Sequence, residues 1–446
     1  MAGGTWTSQN KKQPGVYINV KSNTKIPVNV GARGVVAICE PLSWGAEGVL
    51  MSIDAGDDFM QYTGYDTASD KNLFLREIFK GSDHTSGPIK VLLYRPKADG
   101  AAKAAATIGS LNVTAKYNGV HGNDISVAVI ADPDAEGSFM VQTIVEGTIR
   151  NSQKAKTAAT LKGNDWVAFT GEGVLTANAG TFLTGGSDGS VSAASHSAFL
   201  TALESQAFNV LIYDGSDKTV QTAYASFAKR MRNDFGKKCQ TVLADVSDNS
   251  EAVISVKNGV VLSDGTIITT RQATWWIGGA EAGAAYNESL VYAQYPGAVD
   301  ASPRLTKSEI DTALSAGQIV FFEEFGSVKV VSDINTLTEY TVDTGEMFSL
   351  NQVIRTLDTI ADDVYKNFSL NYIGKIQNTD DGRALLKSWI VGYLNEIQAN
   401  RGIQNFTAND VAVNAGDALN AVVITLGIQP LAAVEKIYIT VNLVEE

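Results

Sequence analysis

Asn209-Val-Leu-Ile-Tyr213 and Thr241-Val-Leu-Ala244 are two short apolar runs, and together with the segment between them they decide the fold. In that segment, apolar residues recur at spacings of four, three and four: Val220, Tyr224, Phe227 and Met231. A continuous apolar run indicates a buried strand, whereas this spacing indicates one face of a helix. The stretch therefore predicts a strand–helix–strand unit of a largely parallel α/β sheet that is buried on both faces.

The same alternation continues toward both ends of the chain. Its further predicted elements are, in order, a strand at 33–38, a helix at 73–78, a strand at 89–94, a helix near 250–257 and the apolar run 273–277, which takes the place of the next strand in the alternation. Alternating strands and helices are typical of one α/β unit. We therefore expect an α/β core domain made of residues 32–97 and 186–330.

Residues 98–185 interrupt this pattern with a composition rich in Ala, Thr, Gly and Val. Two short alternating runs, at 125–129 and 139–144, are separated by Asp132-Pro-Asp-Ala-Glu-Gly137, whose residue types favour a turn. Alternation with a period of two indicates strands. The segment therefore predicts a small β-rich domain inserted into the α/β core.

After residue 330 the pattern becomes helical. Apolar residues follow helical spacing at 353–364 and again at 385–397. Gly402, which follows Arg401, is expected to close the second helix because glycine tolerates the left-handed cap conformation. The alternating run 421–426 returns to a strand, so residues 331–431 predict a C-terminal α+β domain.

Both ends of the chain are predicted to be extended strand arms, at 1–31 and 432–446. Each contains an alternating apolar run, at 16–20 and 437–443. A terminal strand without a partner in its own sheet can add to the sheet edge of another subunit. The residues expected to make such contacts between subunits are Pro14, Val16, Tyr17, Ile18 and Val20 in the first arm and Lys436, Ile437, Ile439, Val441 and Leu443 in the second.

The two ends carry opposite charge. Residues 1–39 contain five basic and no acidic residues, whereas residues 407–446 contain five acidic residues and one basic residue, giving +5 and −4. Complementary charge favours contact between the two segments. The whole chain, with 35 basic and 48 acidic residues, has a net charge of −13, which opposes the binding of nucleic acid phosphates.

The sequence lacks an apolar run near the roughly 18 residues of a membrane span. Its first residues also lack the basic and apolar regions of a signal peptide. We therefore expect a protein that folds in the cytoplasm and does not insert directly into a membrane.

One catalytic pattern occurs: Gly185-Gly-Ser187-Asp-Gly189 matches the G-x-S-x-G elbow of serine hydrolases. That fold needs a histidine well downstream of the serine, but the only later histidine in the sequence is His196, nine residues on. We interpret the segment as a hinge where the insertion rejoins the core. An α/β hydrolase-type enzyme remains the alternative from a different class.

The metal-binding residue types are scattered. His84, His121 and His196 form no i,i+4 pair, and each is expected at the surface or in a turn. Cys39 and Cys239 stand in apolar runs, where a thiol is expected to be buried and inert. The sequence predicts neither a metal site nor a cofactor.

Several short sequence motifs are informative when they are taken together. In the C-terminal third they are Ile334-Asn-Thr-Leu337, Val353-Ile-Arg-Thr-Leu-Asp358, Tyr372-Ile-Gly-Lys375, Asp380-Asp-Gly-Arg-Ala-Leu-Leu386 and Ala433-Val-Glu-Lys-Ile-Tyr-Ile439. Elsewhere they are Gln13-Pro-Gly-Val-Tyr17, Gly119-Val-His-Gly-Asn-Asp-Ile125, Leu183-Thr-Gly-Gly-Ser-Asp-Gly189 and Pro303-Arg-Leu-Thr306. In this order they resemble the tail sheath proteins of contractile phages and phage-like particles.

The resemblance implies a structural subunit, not an enzyme. Such a subunit stacks in helical layers around a tail tube and contracts to drive the tube through a target cell envelope. The implied partners are further copies of the chain, the tube protein, and the baseplate and terminator proteins. The implied location is the virion, after assembly in the host cytoplasm. Another tail component, a tube or baseplate protein, is the nearer alternative.

A tube contact can be placed on the second C-terminal helix. Arg383 and Lys387 lie one helical turn apart, on a side that could meet an acidic tube surface. An ordinary solvated helix face is the alternative explanation for the same two residues.

Overall fold

The computed structural model describes residues 3–4, 16–17 and 33–443. At the start of the chain, the backbones of β1 (Gly3–Gly4) and β2 (Val16–Tyr17) pair in parallel. Val16 and Tyr17 of the first predicted arm thus form β2. Pro14, Ile18 and Val20 lie outside the described residues.

The core begins with five elements: β3 (Val35–Cys39), β4 (Leu50–Asp54), α1 (Met60–Thr63), α2 (Leu73–Phe79) and β5 (Lys90–Tyr94). A short 3-10 helix at Asp70–Asn72 leads into α2. β3 and β5 pair in parallel, with Val36 opposite Val91, and β4 runs antiparallel to β5. The four residues of β3 after Val35 are buried, as expected for a central strand.

The insertion is a sandwich of two antiparallel sheets. Its strands are β6 (Ala105–Ile108), β7 (Leu111–Ala115), β8 (Ile125–Ala131), β9 (Phe139–Val145), β10 (Thr148–Ala155), β11 (Val167–Thr170) and β12 (Asn178–Phe182). One sheet has the order β10-β9-β8-β12 and the other β11-β7-β6. Short 3-10 helices lie at Val120–Asp124 and Ala158–Thr160. The predicted β-rich insertion is confirmed.

After the insertion the chain returns to the core. Its elements are α3 (Ala193–Leu203), β13 (Val210–Ile212), α4 (Lys218–Asn233), β14 (Gln240–Ala244), β15 (Val253–Val256), β16 (Gly259–Leu262), β17 (Ile267–Ile268), α5 (Ala273–Gly283), β18 (Ala298–Ser302), α6 (Lys307–Ser315), β19 (Gln318–Ile319), β20 (Phe321–Glu324) and β21 (Ser327–Val330). β16, β17 and β18 form a small antiparallel sheet, and β20 and β21 form a hairpin.

The central sheet has seven strands in the order β19-β15-β14-β13-β3-β5-β4. All neighbouring pairs are parallel except β4 with β5. On one face of the sheet, Val36 and Ile38 pack against α2 and α5. On the other face, Ala37 and Cys39 pack against α3 and α4. The unit from β13 through α4 to β14 matches the predicted strand–helix–strand unit, and the sheet is buried on both faces.

Two predicted elements of the core were wrong. The helix expected near 250–257 is the strand β15, in which Val253, Ile254, Ser255 and Val256 are all fully buried. The apolar run 273–277, taken as part of the strand pattern, is the start of α5, a helix with nearly every residue buried. Elements buried on all sides show no amphipathic period, so a short apolar run cannot tell helix from strand.

A pair of glycine substitutions tests how tightly α5 packs against α2. A Cβ atom added at Gly279 in α5 would lie 1.9 Å from the carbonyl oxygen of Ile78. We therefore expect Gly279→Ala to lower the free energy of unfolding by about 1–3 kcal/mol. Gly392, in an exposed helical position with nothing within 4 Å of an added Cβ, is the matched control. Gly392→Ala should stabilise the chain by about 0.5–1 kcal/mol in the same urea titration, and equal effects of the two changes would contradict this packing.

The C-terminal part combines two long helices with short strands. Its elements are α7 (Asn351–Asn371), α8 (Asp380–Ala399), β22 (Ile403–Gln404), β23 (Val411–Ala415), β24 (Val422–Leu426) and β25 (Gln429–Pro430), with 3-10 helices at Glu346–Ser349 and Ala408–Asp410. β23 and β24 form a hairpin, and β22 pairs with β25. Ile360, Ile390, Tyr393 and Leu394 are buried between helices and hairpin. The predicted mixture of helices and strands is confirmed.

The end of α8 differs from the prediction in one detail. Arg401, with φ of +62°, adopts the left-handed conformation, and Gly402 does not. Gly402 is required for another reason, because a Cβ there would lie 2.6 Å from the ring of Tyr286. The sequence marked the end of the helix correctly, but the glycine serves close packing.

Candidate functional site: the C-terminal arm and its anchor

The second predicted arm leaves the folded chain after β25. Residues 431–443 form neither helix nor strand, so the strand expected at 437–443 pairs with no other described residue. Its apolar side chains are exposed to solvent: Val434 78%, Ile437 77%, Tyr438 90%, Ile439 80%, Val441 80% and Leu443 94%. A contiguous row of exposed apolar side chains indicates a surface for another protein.

Three hydrogen bonds anchor the start of this arm. The amide of Leu431 donates to the carbonyl of Gly402 over 3.0 Å. The amide of Ala433 donates to Gln352 Oε1 over 2.8 Å, and the Ser332 hydroxyl donates to Glu435 Oε2 over 3.2 Å. Burial raises the pKa of the Glu435 carboxyl. Among the described residues, no such bond involves 436–443, so the arm is held to Glu435 and projects beyond it.

The arm is anchored over a buried ion network. The Arg355 guanidinium pairs with Glu281 and, over 2.7 Å, with Asp333, and it donates to the carbonyl of Glu288 over 2.7 Å. Arg355, Glu281 and Asp333 are all essentially fully buried. The network joins α5 of the core, the segment after β21 and the first turns of α7.

The pKa values of the two carboxyls in this network shift in opposite directions. Burial and the neighbouring Asp333 raise the pKa of Glu281 well above its ordinary value, despite Arg355. Burial acts on Asp333 in the same direction, but Arg355 and the hydrogen bonds from Glu281 and the Leu290 amide hold its pKa below the ordinary value. The site therefore favours the charged form of Asp333 and disfavours the charged form of Glu281.

A second buried pair ties α4 to α7. Arg232 donates to both carboxylate oxygens of Asp358, over 2.7 and 2.8 Å, and to the carbonyl of Cys239 over 3.2 Å. A bidentate pair fixes geometry as well as charge. The core and the first half of α7 are thus joined at two buried points, which gives the arm a rigid base.

The structure places the two proposed tube-contact residues on α8. Arg383 donates to Asn378 Oδ1 over 2.6 Å and pairs with Asp380, and its side chain is only 18% exposed. Lys387 is half-buried. Arg383 also lines an apolar pocket of about 300 Å³ between the end of α7, the start of α8 and β24. The pocket could not be predicted from the sequence, because three separate segments form its walls.

The catalytic alternative finds no matching geometry. The Ser187 hydroxyl accepts from the Gly189 amide over 3.3 Å in a turn. His196 Nδ1 instead lies 3.0 Å from the Tyr224 hydroxyl, so the structure does not join His196 to Ser187. In the ranges that the structure describes, no cluster of three or more His, Cys, Asp or Glu side chains could hold a metal ion.

Two further residue predictions can be compared with the structure. Cys39 and Cys239 are buried free thiols, as predicted, and burial raises the pKa of Cys239 to about 12. His121 was predicted to lie at the surface or in a turn, but its side chain is fully buried.

Of the helices described, none is long and apolar enough to cross a membrane.

Comparisons with known proteins agree with this architecture. Residues 98–188 match the phage tail sheath protein beta-sandwich domain, residues 189–336 the central domain and residues 343–444 the C-terminal domain. The phage-like element PBSX protein XkdK of Bacillus subtilis is 31% identical over 99% of this chain and 100% of its own length.

Solved structures give the same result. The crystal structure of the sheath tail protein from Desulfitobacterium hafniense is 42% identical, with a TM-score of 0.87 over 95% of this chain and 99% of that one. The helical sheath of the anti-feeding prophage in its contracted state shares the fold at 13% identity, with a TM-score of 0.57 over 97% and 99% of the two chains. The resemblance seen in the sequence is confirmed, and the chain belongs to the phage tail sheath protein family.

Proposed function

We propose that this chain polymerises helically around a tail tube and contracts to drive the tube through a target cell envelope. The observation that carries the proposal is the C-terminal arm, whose apolar side chains are exposed and project from an anchored base. A similarly folded protein forms a helical sheath with a contracted state. The proposed setting is the virion tail or a phage-like particle, assembled in the host cytoplasm.

The proposed link between copies is strand exchange. Residues 14–20 of one copy would pair beside residues 436–444 of another, so that the strand expected at 437–443 gains a partner and the short β1–β2 ladder gains a third strand. The +5 and −4 charges of the two end segments would favour this pairing over pairing of like ends. Because the two contact surfaces differ, the contact is heterologous and extends into a filament when its rotation does not close.

The buried ion pairs suggest how such a filament could change shape. Arg355 and Arg232 join the core to α7 inside one chain, so the two parts would move together. Main-chain pairing through the arms would persist while whole subunits reorient as rigid bodies. Baseplate and terminator proteins would then cap the two ends of the polymer.

Deleting residues 1–20 tests the proposed strand exchange. We expect a truncated chain that folds, with the melting temperature of the full chain, but forms no tubes, because one of the two exchanged segments is missing. Electron microscopy of both proteins at equal concentration reads out assembly, and circular dichroism checks folding. Normal sheath cylinders from the truncated chain would contradict the proposed link.

The proposed tube contact rests on Arg383 and Lys387 of α8. Reversing both charges, Arg383→Glu with Lys387→Glu, should abolish assembly around an acidic tube while tube-free sheath still forms. Lys156→Glu with Lys162→Glu, at exposed positions of the insertion, changes the net charge equally and serves as the control. Co-sedimentation with purified tubes measures the effect, and undiminished binding by the α8 variant would remove Arg383 and Lys387 from the contact.

A further inference from the structure

Loop 117–124 of the inserted sandwich lies against the core. Arg95, at the end of β5, donates to the carbonyl of Gly45 over 2.7 Å and to that of Asn118 over 2.9 Å. Asp188, on the returning connection, accepts from the Val120 amide over 2.8 Å and from the Ser43 hydroxyl over 3.0 Å. The loop is thus cross-linked both to the core and to the connection that leaves the sandwich.

A core tryptophan completes the junction. Trp44, in the loop after β3, is buried among side chains of the sandwich. Its ring centroid lies 5.4 Å from that of Trp166, in a stacked arrangement, and 5.3 Å from that of Tyr117, edge to face. The core therefore contributes an aromatic side chain to the hydrophobic interior of the inserted unit.

The motif Gly119-Val-His-Gly-Asn-Asp-Ile125 follows from this close approach. Gly119 has φ of +125°, and a Cβ there would lie 1.9 Å from the carbonyl oxygen of Ser43. A Cβ at Gly122 would lie 2.9 Å from the Cβ of Ala104. The Asn123 side chain accepts a hydrogen bond from the Gly186 amide over 2.8 Å and donates one to the Gly186 carbonyl over 3.0 Å. Each of these residues presses the loop against a neighbouring segment.

His121 stands at the centre of the junction and is fully buried. Its ring centroid lies 4.1 Å from that of Tyr65, 5.4 Å from that of Trp44 and 5.9 Å from that of Trp166. Nδ1 is 3.4 Å from Asp124 Oδ2, and neither ring nitrogen makes a hydrogen bond of good geometry. A neutral imidazole fits this aromatic enclosure, whereas a charged one would lose its hydration.

The charged groups around the junction offset only part of the cost of burying a protonated His121. Burial lowers the pKa of His121, although Asp124 on its own loop and Glu146 after β9 act to raise it. Arg95 is engaged with backbone carbonyls and with Glu47, whose Oε1 is 3.4 Å away, and Asp188 with Ser43 and Val120. Burial dominates, so the closed junction prefers the neutral ring.

We propose that loop 117–124 is a lock that holds the inserted sandwich on the core, and that protonation of His121 opens this lock in acid. The pKa of His121 is lower in the closed state than in the open one. Its contribution to closure is therefore complete at pH values above the ordinary pKa of about 6.5 and shrinks as the pH falls below that value. Each unit of lowering makes the open junction about tenfold more populated in acid, relative to the closed one. The inference concerns single chains and does not depend on assembly.

Histidine-labelled NMR of the wild-type chain between pH 8 and 5 tests the lock directly, because the sequence contains three histidines. His84→Gln and His196→Gln identify those two signals, which leaves His121. We expect the pKa of His121 to lie below the ordinary histidine value of about 6.5, because its ring is buried. Amide exchange at residues 118–122, corrected for its intrinsic pH dependence, should accelerate about tenfold or more in acid, while strands β13 and β14 stay protected.

His121→Phe keeps a ring in the enclosure and removes the titrating group. Its junction amides should exchange at the same corrected rate at pH 8 and pH 5, and His84→Phe should behave like the wild type. If His121→Phe does not fold, the wild-type titration decides alone. A His121 pKa at or above the ordinary value of about 6.5, or acid opening that persists in His121→Phe, would overturn the proposal.

Discussion

Replacing Arg355 with methionine is expected to lower the free energy of unfolding by about 3–5 kcal/mol. Arg355 is fully buried and pairs with Glu281 and Asp333, which are buried as well. The methionine fills a similar volume but leaves the Asp333 carboxylate without its cation in a water-excluded site. The cost is mainly the unpaired charge, because an ion pair replaced as a whole by apolar groups can be nearly neutral.

Urea denaturation of matched variants measures this cost. Arg304→Met is the control, since Arg304 is 66% exposed and pairs with Asp300 and Glu323, and its loss should cost under about 1 kcal/mol. In the Arg355→Met background, Asp333→Asn should restore more stability than Glu281→Gln, because the site favours the charged form of Asp333 and disfavours that of Glu281. Equal costs at Arg355 and Arg304, or better rescue by Glu281→Gln, would contradict the assigned charges.

Replacing Ile439 and Val441 with aspartate is expected to abolish tube assembly and to leave the single chain as stable as before. Both side chains are 80% exposed, so the folded chain loses no packing. In the proposed exchange the same side chains are covered by a neighbour, where each contributes about 1.5–3 kcal/mol. Losing both raises the critical concentration for assembly by about a hundredfold or more.

Light scattering across a concentration series, with electron microscopy of the products, checks this prediction. Val174→Asp with Val342→Asp removes two exposed apolar side chains outside the arms and adds the same charge. This control should assemble like the wild type. If the control fails as well, the added charge is responsible, and if both proteins assemble, the arm's apolar face is not a contact.

The sequence predicted best where an element has one exposed side. The helix α4 shows apolar residues at Val220, Tyr224, Phe227 and Met231 because its other face meets solvent. Fully buried β15 and α5 lack this contrast, and there the predicted helix and the predicted strand were wrong. The spacing of apolar residues indicates helix or strand only when one side of the element is buried and the other is exposed. An element that is buried on every side lacks this periodic spacing.

The anchor of the candidate site could not be predicted from local patterns. Glu281, Asp333 and Arg355 are separated by 52 and 22 positions in the sequence, and nothing in their flanking residues marks them as partners. The arm itself was visible because its alternating residues form one continuous run. That its apolar side chains are exposed, and that it pairs with no other described residue, appeared only in the structure.

The central claim is that terminal segments of different copies pair within the sheath, and cysteine cross-linking between singly substituted chains tests it most directly. Cys39 and Cys239 are buried, so introduced thiols at position 16 or 18 of one chain and at position 437, 439 or 441 of another would react first. Paired strands bring Cα atoms within the 4.4–6.8 Å that a disulfide spans. Mixed, assembled and oxidised chains should give a covalent dimer of one chain of each kind for at least one combination, and none when kept unassembled. Tubes that form normally without any such dimer would contradict the account.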